Sequence, residues 1–440
     1  MQPASTTIDP YAPWRISNFR RYVSCWFLMT FSKHIETLAV SVYFVDVYDA
    51  SRSLLALGAM GLIQALPVML LAIAGGQLAD RFDRRQVMIC TLMLSVLSSL
   101  GLLIVALLDA SRTWIYLCLG IGAIGLALGN PSRAALLPQL VPPPVFPRAV
   151  MWNSSIFYVA AVLGPIAGGA ILGISAADVA PTVSAMTSTN PAPAFALVLC
   201  CRLIAVLAIS LVRHRQVNHI RESISWESVI AGIRFVRQTK LILATITLDL
   251  FAVLLGGAPY LLPYYAKYIL EVGSTELGLL RSADAVGAIC MVVLLAHRPP
   301  LRRAGVTLLW AVAGFGAAWA IFGLSRCFWL SLAMMFLVGA LDNISVVVRH
   351  TLVQTLTPDH MRGRVSAVQG VFIVASNDLG GFESGLTAWL FGPLLSVVGG
   401  GIAAILVVLI ALRLWPEILS IGSLGSLQPV MPTEPERGTS

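Results

Sequence analysis

The chain has 440 residues, of which 58% are hydrophobic and only 11% are charged, and its formal net charge is +8. Soluble domains carry about 25% charged residues, so this composition excludes a water-soluble fold for most of the chain. The basic residues lie between long apolar runs, not on one face with interleaved aromatic residues, which argues against nucleic-acid binding. Lipid is therefore the predicted solvent for most of the structure.

Apolar runs long enough to cross a bilayer, which takes roughly 20 residues, recur along the whole chain. The first six lie near 22–46, 54–78, 87–108, 114–136, 148–174 and 193–212. The second six lie near 241–266, 275–296, 305–324, 328–350, 365–387 and 393–414. We therefore predict an all-α membrane protein with twelve transmembrane helices, arranged as two six-helix bundles over 22–212 and 241–416.

Three polar segments flank and join these bundles. Residues 1–21 are predicted to be a cytoplasmic N-terminal segment, and residues 213–240 a central cytoplasmic loop that contains a surface helix near 226–236. Residues 417–440 are rich in Pro, Gly and Ser and are predicted to be a disordered cytoplasmic tail.

The basic residues between the apolar runs are unequally divided between the two sides. One side contains the loop 81–85 and most of the arginines, whereas the other keeps only Arg52, Arg112, Lys267, Arg281 and Arg326. Because cytoplasmic loops are enriched in Lys and Arg, the arginine-rich side is predicted to be cytoplasmic, with both termini on it. The predicted location is the inner membrane of a bacterium.

Residues 133–169 are similar to residues 349–385, at a constant offset in the chain. Arg133 matches Arg349, Pro142 matches Pro358, and Gly164 matches Gly380. Both stretches run from the fourth helix of a half into the fifth, so the two halves form a parallel repeat related by a pseudo-two-fold axis. Such a repeat predicts a substrate path between the halves, near the middle of the membrane.

The short loop after the second run reads GGQLADRFDRR over residues 75–85. It resembles the signature loop GxLaDrxGrr of the major facilitator superfamily, with Asp83 standing where that family often has Gly. The resemblance implies the twelve-helix transporter fold of that superfamily and a conformational latch at the cytoplasmic ends of the helices. The residues that match the latch, with the paired helix-end arginines, are Gly76, Asp80, Arg81, Arg84, Arg85, Arg133 and Arg349.

The fifth run contains Gly164-Pro165-Ile166-Ala167-Gly168-Gly169. This stretch resembles the GPxxGG element of exporters in the superfamily, which implies that Gly164, Pro165, Gly168 and Gly169 shape an exporter-type helix. Residues 133–142 and 358–365 are similar to the branch that holds macrolide-efflux proteins and the enterobactin exporter. Efflux of a small molecule is the implied activity.

Charged side chains within the runs are costly in lipid, and each is a candidate for proton coupling or for the substrate cavity. Lys33 and Glu36 lie three residues apart on one helix face and are predicted to be able to pair. Glu36 is the first candidate for a proton carrier and Asp378 the second. The other candidates are His34, Arg202, Asp249, Asp284, Asp342 and Glu383.

The sequence lacks the motifs of ATP-driven and enzymatic chemistry. No Lys follows a Gly, so the nucleotide-binding pattern GxxxxGK[ST] is absent, as are HExxH and GxSxG. We therefore expect a monomeric secondary transporter without a cofactor or metal, which exports drug-like or siderophore-like molecules against protons. The alternatives are an uncoupled or import-type facilitator and a transporter-like receptor for a lipid or solute.

Overall fold

The computed structural model describes residues 9–179, 190–213, 226–298, 302–358 and 361–422. The α-helices in that part of the chain are α1 Ser17–Val47, α2 Ala50–Arg81, α3 Arg84–Leu107, α4 Thr113–Leu140, α5 Phe146–Val179, α6 Ala192–Ser210, α7 Trp226–Gln238, α8 Lys240–Gly256, α9 Leu262–Tyr268, α10 Ser274–Ala296, α11 Ala304–Leu324, α12 Phe328–Leu356, α13 Arg362–Phe391 and α14 Pro393–Leu414.

Ten helical stretches of this described part are long and apolar enough to cross a membrane, with 240–268 counted as one stretch. Two further helices, α1 and α13, have 31 and 30 residues and contain the charged side chains predicted for the first and eleventh spans. Together they make the twelve spans expected from the sequence, and each observed helix agrees with its predicted run to within several residues.

The packing of the helices repeats from one half of the chain to the other. In the first bundle α1 packs on α5 and α6, α3 packs on α4 and α6, and α2 packs on α4. In the second bundle α8 packs on α13 and α14, α11 packs on α12 and α14, and α10 packs on α12. This equivalence is what the parallel repeat predicts, and it confirms two six-helix bundles related by pseudo-two-fold symmetry.

The bundles contact each other through two equivalent helix pairs, α2 with α13 and α5 with α10. Glycines permit the close approach: a Cβ added at Gly58 would lie 3.2 Å from the Gly385 Cα atom, and one at Gly61 would lie 2.6 Å from the Asp378 carbonyl oxygen. Both contacts lie in the part of α2 near its start. We call that side of the molecule, which contains the turn between α1 and α2, the α1–α2 end, and the opposite side the α2–α3 end.

The seventh span is a broken helix. It begins as α8, which ends at Gly256, passes through Gly257 and Ala258, makes one 3-10 turn over Pro259–Leu261, and continues as α9. Pro259 and Pro263 have no backbone N–H, so a regular helix cannot run through this segment without losing hydrogen bonds. The break lies where the span faces the first bundle, and it carries Tyr260 into the protein interior.

Two connecting segments pack against the second bundle. In the central loop, α7 buries Phe235 and Val236 against a core that includes residues of α8 and α13. After α14, residues Pro416–Ser420 form a 3-10 helix, and Ile418 and Ile421 are buried beside α11. The predicted disorder of 417–440 is therefore wrong for residues 417–422, because their apolar side chains pack on the second bundle. The rest of that tail, 423–440, and the loop residues 214–225 lie outside the described residues.

Candidate functional site

A cavity of about 280 Å³ lies among the mid-portions of the second-bundle helices, and α1 and α5 of the first bundle contribute to its wall. Small-molecule sites usually have volumes of about 300–1,000 Å³, so this volume is just below that range. Its apolar wall includes Phe315, Trp319 and Met335, and its charged or titratable lining consists of His34, Asp249, Arg281, Asp284, Asp342 and Arg349.

Asp249 in α8 and Arg349 in α12 form a buried ion pair across the second bundle, between Oδ2 and Nη1. Their side chains are 9% and 3% exposed, and Ser345 donates to Asp249 Oδ1 at 3.5 Å. Arg349 therefore lies in the cavity wall, two turns before the end of α12. Its partner in the repeat, Arg133, instead stacks on the ring of Trp26, with the guanidinium carbon 3.6 Å from the ring centre.

Asp284 in α10 and Asp342 in α12 line the same cavity. Gly339 lies one turn before Asp342 and lets the two helices approach so closely that an added Cβ would be 2.6 Å from Asp284 Oδ1. Within the described ranges, neither carboxylate makes a hydrogen bond or an ion pair. Arg281, three residues before Asp284, donates through Nη2 to the Pro259 carbonyl at 3.1 Å.

Glu36 lies inside the first bundle between two bases. Arg202 Nη2 in α6 is 2.7 Å from Glu36 Oε2, whereas Lys33 Nζ is 3.5 Å from Glu36 Oε1. Arg202 also donates to the Ser95 carbonyl in α3 at 2.8 Å. The carboxylate of Glu36 thus joins α1 to α6, and its closer partner is Arg202.

A chain of polar contacts continues from Lys33 into the second bundle. Lys33 Nζ donates to Gln64 Oε1, Gln64 Nε2 donates to the Tyr260 hydroxyl at 3.4 Å, and that hydroxyl donates to Asp378 Oδ1 at 2.9 Å. We call the set Arg202, Glu36, Lys33, Gln64, Tyr260 and Asp378 the polar chain. With two bases protonated and two acids ionised it is electrically neutral, which offsets the cost of burying its charges.

The polar chain lies next to the cavity. His34, Pro259 and Asn377 line the cavity, and each is the sequence neighbour of a member of the polar chain, respectively Lys33, Tyr260 and Asp378. A molecule in the cavity would therefore contact the same three segments that hold the polar chain together. Glu383 is half-buried one turn beyond Asp378 on α13 and is not among the lining residues.

The glycines of the fifth span bring α5 against two other helices. A Cβ at Gly164 would lie 2.7 Å from the His34 Cβ atom, and one at Gly168 would lie 3.4 Å from the Ile35 Cα atom, both in α1. On the other side, Gly169 contacts the backbone of Ser274 and Gly278 at the start of α10. The Pro165 carbonyl faces Gly278 as well, so this element contributes to the contact between the bundles.

Five of the residues predicted for the latch lie around the turn between α2 and α3, whereas Arg133 and Arg349 lie apart from it, on Trp26 and in the cavity wall. Arg84 donates to the carbonyls of Ala79 and Ala135 at 3.3 and 3.0 Å, and Arg85 donates to the Ser210 carbonyl. These bonds tie α3 to α2, α4 and α6. Asp80 is half-buried in the last turn of α2, Arg81 is exposed beside it, and Gly76 is buried in the same helix.

Several residues of the site were not among the sequence-based candidates for the cavity or for proton coupling, and one of them, Arg349, was predicted for the latch instead. Gln64 is a neutral residue in an apolar run, Trp319 resembles an ordinary lipid-facing aromatic residue, and Arg281 was counted with the loops. Arg281 could have been found from its place inside the predicted run 275–296, and the Gly-Gly-Ala-Pro sequence at 256–259 could have shown the break that places Tyr260.

Comparison with known proteins identifies relatives over most of the chain. Residues 8–421 match the family model described as "Transmembrane secretion effector". The multidrug efflux pump Tap of Mycolicibacterium fortuitum is 27% identical over 347 residues, covering 76% of this chain and 79% of that protein. The enterobactin exporter EntS of Citrobacter koseri is 25% identical over 346 residues, covering 78% and 79%.

Solved structures of transporters share the fold at low sequence identity. A bacterial homologue of the human lysosomal transporter Spinster, in an inward-facing and unoccupied conformation, has a TM-score of 0.69 at 16% identity and covers 92% of this chain and 98% of that one. A D-xylose–proton symporter has a TM-score of 0.67 at 15% identity and covers 93% and 100%. The chain therefore belongs to the transmembrane secretion effector family of major facilitator transporters.

Proposed function

We propose that this protein is a proton-coupled exporter of small molecules that works by alternating access in a bacterial inner membrane. The observation that carries the proposal is the polar chain, which contains both predicted proton carriers and crosses from one bundle to the other beside a cavity. We propose further that the α2–α3 end faces the cytoplasm and that the protein acts as a monomer. Drug-like or siderophore-like substrates are proposed because the relatives are named for multidrug and enterobactin export.

The contacts support Asp378 as the proton carrier more strongly than Glu36. Glu36 is held between two bases, one of them at 2.7 Å, so its carboxylate is engaged within the first bundle. Asp378 is held by a neutral hydroxyl group at 2.9 Å. Protonation of Asp378 removes one negative charge from the polar chain and leaves it with a net positive charge. Separation of the bundles at Tyr260 would relieve that excess by exposing Lys33 to water.

The proposal is tested by transport in proteoliposomes that enclose a pH-sensitive dye. Addition of substrates from a panel of macrolides, cationic dyes and catecholate siderophores should change the internal pH in wild-type vesicles only. We expect Asp378→Asn to abolish the pH change and to retain substrate binding. Normal coupled transport by both Asp378→Asn and Glu36→Gln would refute the assignment of the proton carriers.

The same vesicles distinguish the rival functions. An uncoupled facilitator would move labelled substrate down its gradient with no pH change, and an importer would accumulate it against the proposed direction. A receptor would bind substrate without any flux.

A further inference from the structure

The cavity beside the polar chain has an excess of negative charge. Three carboxylates line it, those of Asp249, Asp284 and Asp342, against two guanidinium groups, and the Asp249–Arg349 ion pair neutralises one of each. The remaining acids, Asp284 and Asp342, share the cavity with one further guanidinium group, that of Arg281, and with the imidazole of His34. Asp284 is exposed although α10 is packed between α5 and α12, because its carboxylate faces the open cavity.

A second observation also indicates a ligand. Trp319 lines the cavity and is 3% exposed, yet its indole N–H has no acceptor among the residues described here. The Nε atom of Arg281 is likewise buried without a partner. A buried donor of this kind normally finds an acceptor, since leaving it unpaired costs about 1–3 kcal/mol. The cavity thus contains unpaired carboxylate acceptors on α10 and α12 and, close to them, the unpaired indole N–H donor of Trp319.

We propose that the cavity binds an amphiphilic amine, with its cationic group between Asp284 and Asp342 and an acceptor oxygen at the indole N–H of Trp319. The aromatic faces of Phe315 and Trp319 suit a cation on an aromatic body. This inference rests on the proposed export function and narrows its substrate class. It assigns the positive group of the substrate to the second bundle, away from Glu36.

The test is equilibrium binding to the purified full-length protein in lipid nanodiscs, with no proton gradient. The probes are phenethyltrimethylammonium and its anionic counterpart 2-phenylethanesulfonate. We expect the cation to bind at least about tenfold more tightly than the sulfonate, because two unpaired carboxylates attract one and repel the other. Equal affinities for the two probes would overturn the proposal without any variant having to fold.

Variants then locate the site. Asp284→Asn and Asp342→Asn should each weaken cation binding about tenfold, whereas Asp109→Asn, in an exposed turn, should have no effect. Size-exclusion chromatography and thermal unfolding verify that each variant is folded. A cation affinity that changes by less than about twofold in both cavity variants would place the binding site elsewhere and refute the assignment.

A second pair of probes tests whether the substrate places an acceptor oxygen at the indole N–H of Trp319. Phenacyltrimethylammonium carries a carbonyl oxygen that phenethyltrimethylammonium lacks. Trp319→Phe should weaken binding of the phenacyl probe several-fold more than binding of the phenethyl probe, which loses only part of the cation–π contact, and an equal effect on both would remove the indole N–H from the proposal. Because binding is measured without flux, cation binding that persists in a protein incapable of proton-coupled transport would contradict the proposed function alone.

Discussion

The ion pair of Glu36 with Arg202 is enclosed by the first bundle, with side chains only 2% and 3% exposed. Removing one partner of such a pair leaves a buried charge and typically costs about 3–5 kcal/mol, whereas replacing both by apolar residues is often neutral. We expect Glu36→Met and Arg202→Met each to lower the free energy of unfolding by about 3 kcal/mol. The double variant should lose much less than the sum, as measured by denaturant titration in micelles.

The exposed pair of Arg15 with Asp9 is the matched control, because its ions are 2.7 Å apart but 79% and 37% exposed. Arg15→Met should cost less than about 1 kcal/mol. Additive losses in the Glu36 and Arg202 variants would mean that the two side chains do not stabilise each other.

Tyr260 connects the two bundles through a single hydroxyl group, between Gln64 and Asp378. Tyr260→Phe keeps the ring and removes both hydrogen bonds. We expect the variant to bind substrate normally and to move fewer protons per substrate, since Asp378 is no longer linked to the first bundle. The check is the ratio of proton flux to substrate flux in proteoliposomes, and an unchanged ratio would show that coupling does not pass through Tyr260. Tyr264→Phe, on the neighbouring turn, serves as the control.

The contact of one side chain with another could be predicted from the sequence only where the two residues are near each other in the chain. The spacing of Lys33 and Glu36 indicated a possible pair, and the buried charges marked most of the polar cavity lining. The closer partner of Glu36 lies on α6, and the link from Lys33 to Asp378 passes through an amide and a phenol. Neither contact follows from helical periodicity, because both depend on how separate helices pack.

Helix α5 owes its position to small residues on two faces. A methyl group at Gly169 would collide with the Ser274 backbone, whereas one at Gly399, in α14, meets nothing within 4 Å. Gly169→Ala should therefore separate α5 from α10 and reduce the transport rate at least about tenfold, while Gly399→Ala should leave transport intact and slightly favour the helix. Initial rates of substrate uptake into inverted vesicles, normalised to the amount of folded protein, provide the measurement. Equal rates in the two variants would argue against a functional α5–α10 contact.

At the scale of elements, the sequence predicted helix number and extent well and helix irregularity poorly. Lipid requires long apolar runs, so hydropathy alone locates the spans. The break in the seventh span was not predicted, although two glycines and two prolines lie within it. Asp83 is a departure from the superfamily pattern that the structure explains. Its carboxylate accepts from the N–H groups of Arg85 and Gln86 at 2.8 and 3.2 Å and so caps the start of α3.

The architecture of the whole molecule follows from the internal sequence repeat. Equivalent sequences fold into equivalent bundles, and the equivalence extends to the pairs between them, since α2 meets α13 as α10 meets α5. The sequence therefore predicted the architecture, and the substrate path that it places between the halves stays a prediction. It did not predict that the cavity lies mainly in the second bundle, because that asymmetry arises from side chains, such as Asp284 and Asp342, that have no acidic counterparts at matching positions of the first.

Alternating access requires the bundles to separate at the α1–α2 end. Asp46 at the end of α1 and Lys267 in α9 form an ion pair across the bundles there, at 2.8 Å, and Lys267 also donates to the Val45 carbonyl at 3.1 Å. The test variant has Cys in place of Asp46 and Lys267. Its exposed cysteines are replaced by Ser to prevent side reactions, and these are Cys90, Cys200, Cys290 and Cys327. A short bis-methanethiosulfonate reagent should then join the two helices.

Cross-linking should reduce transport to the level of empty vesicles, and a reducing agent should restore it, because the linked bundles cannot open that end. Each single Cys variant, treated in the same way, is the control for reaction of the reagent with one site alone. Substrate binding from the α2–α3 end should survive the cross-link, since the cavity and the polar chain lie deeper than the linked residues. Full transport by the cross-linked protein would mean that the α1–α2 end does not open during the cycle, and the two bundles would then have to move in some other way.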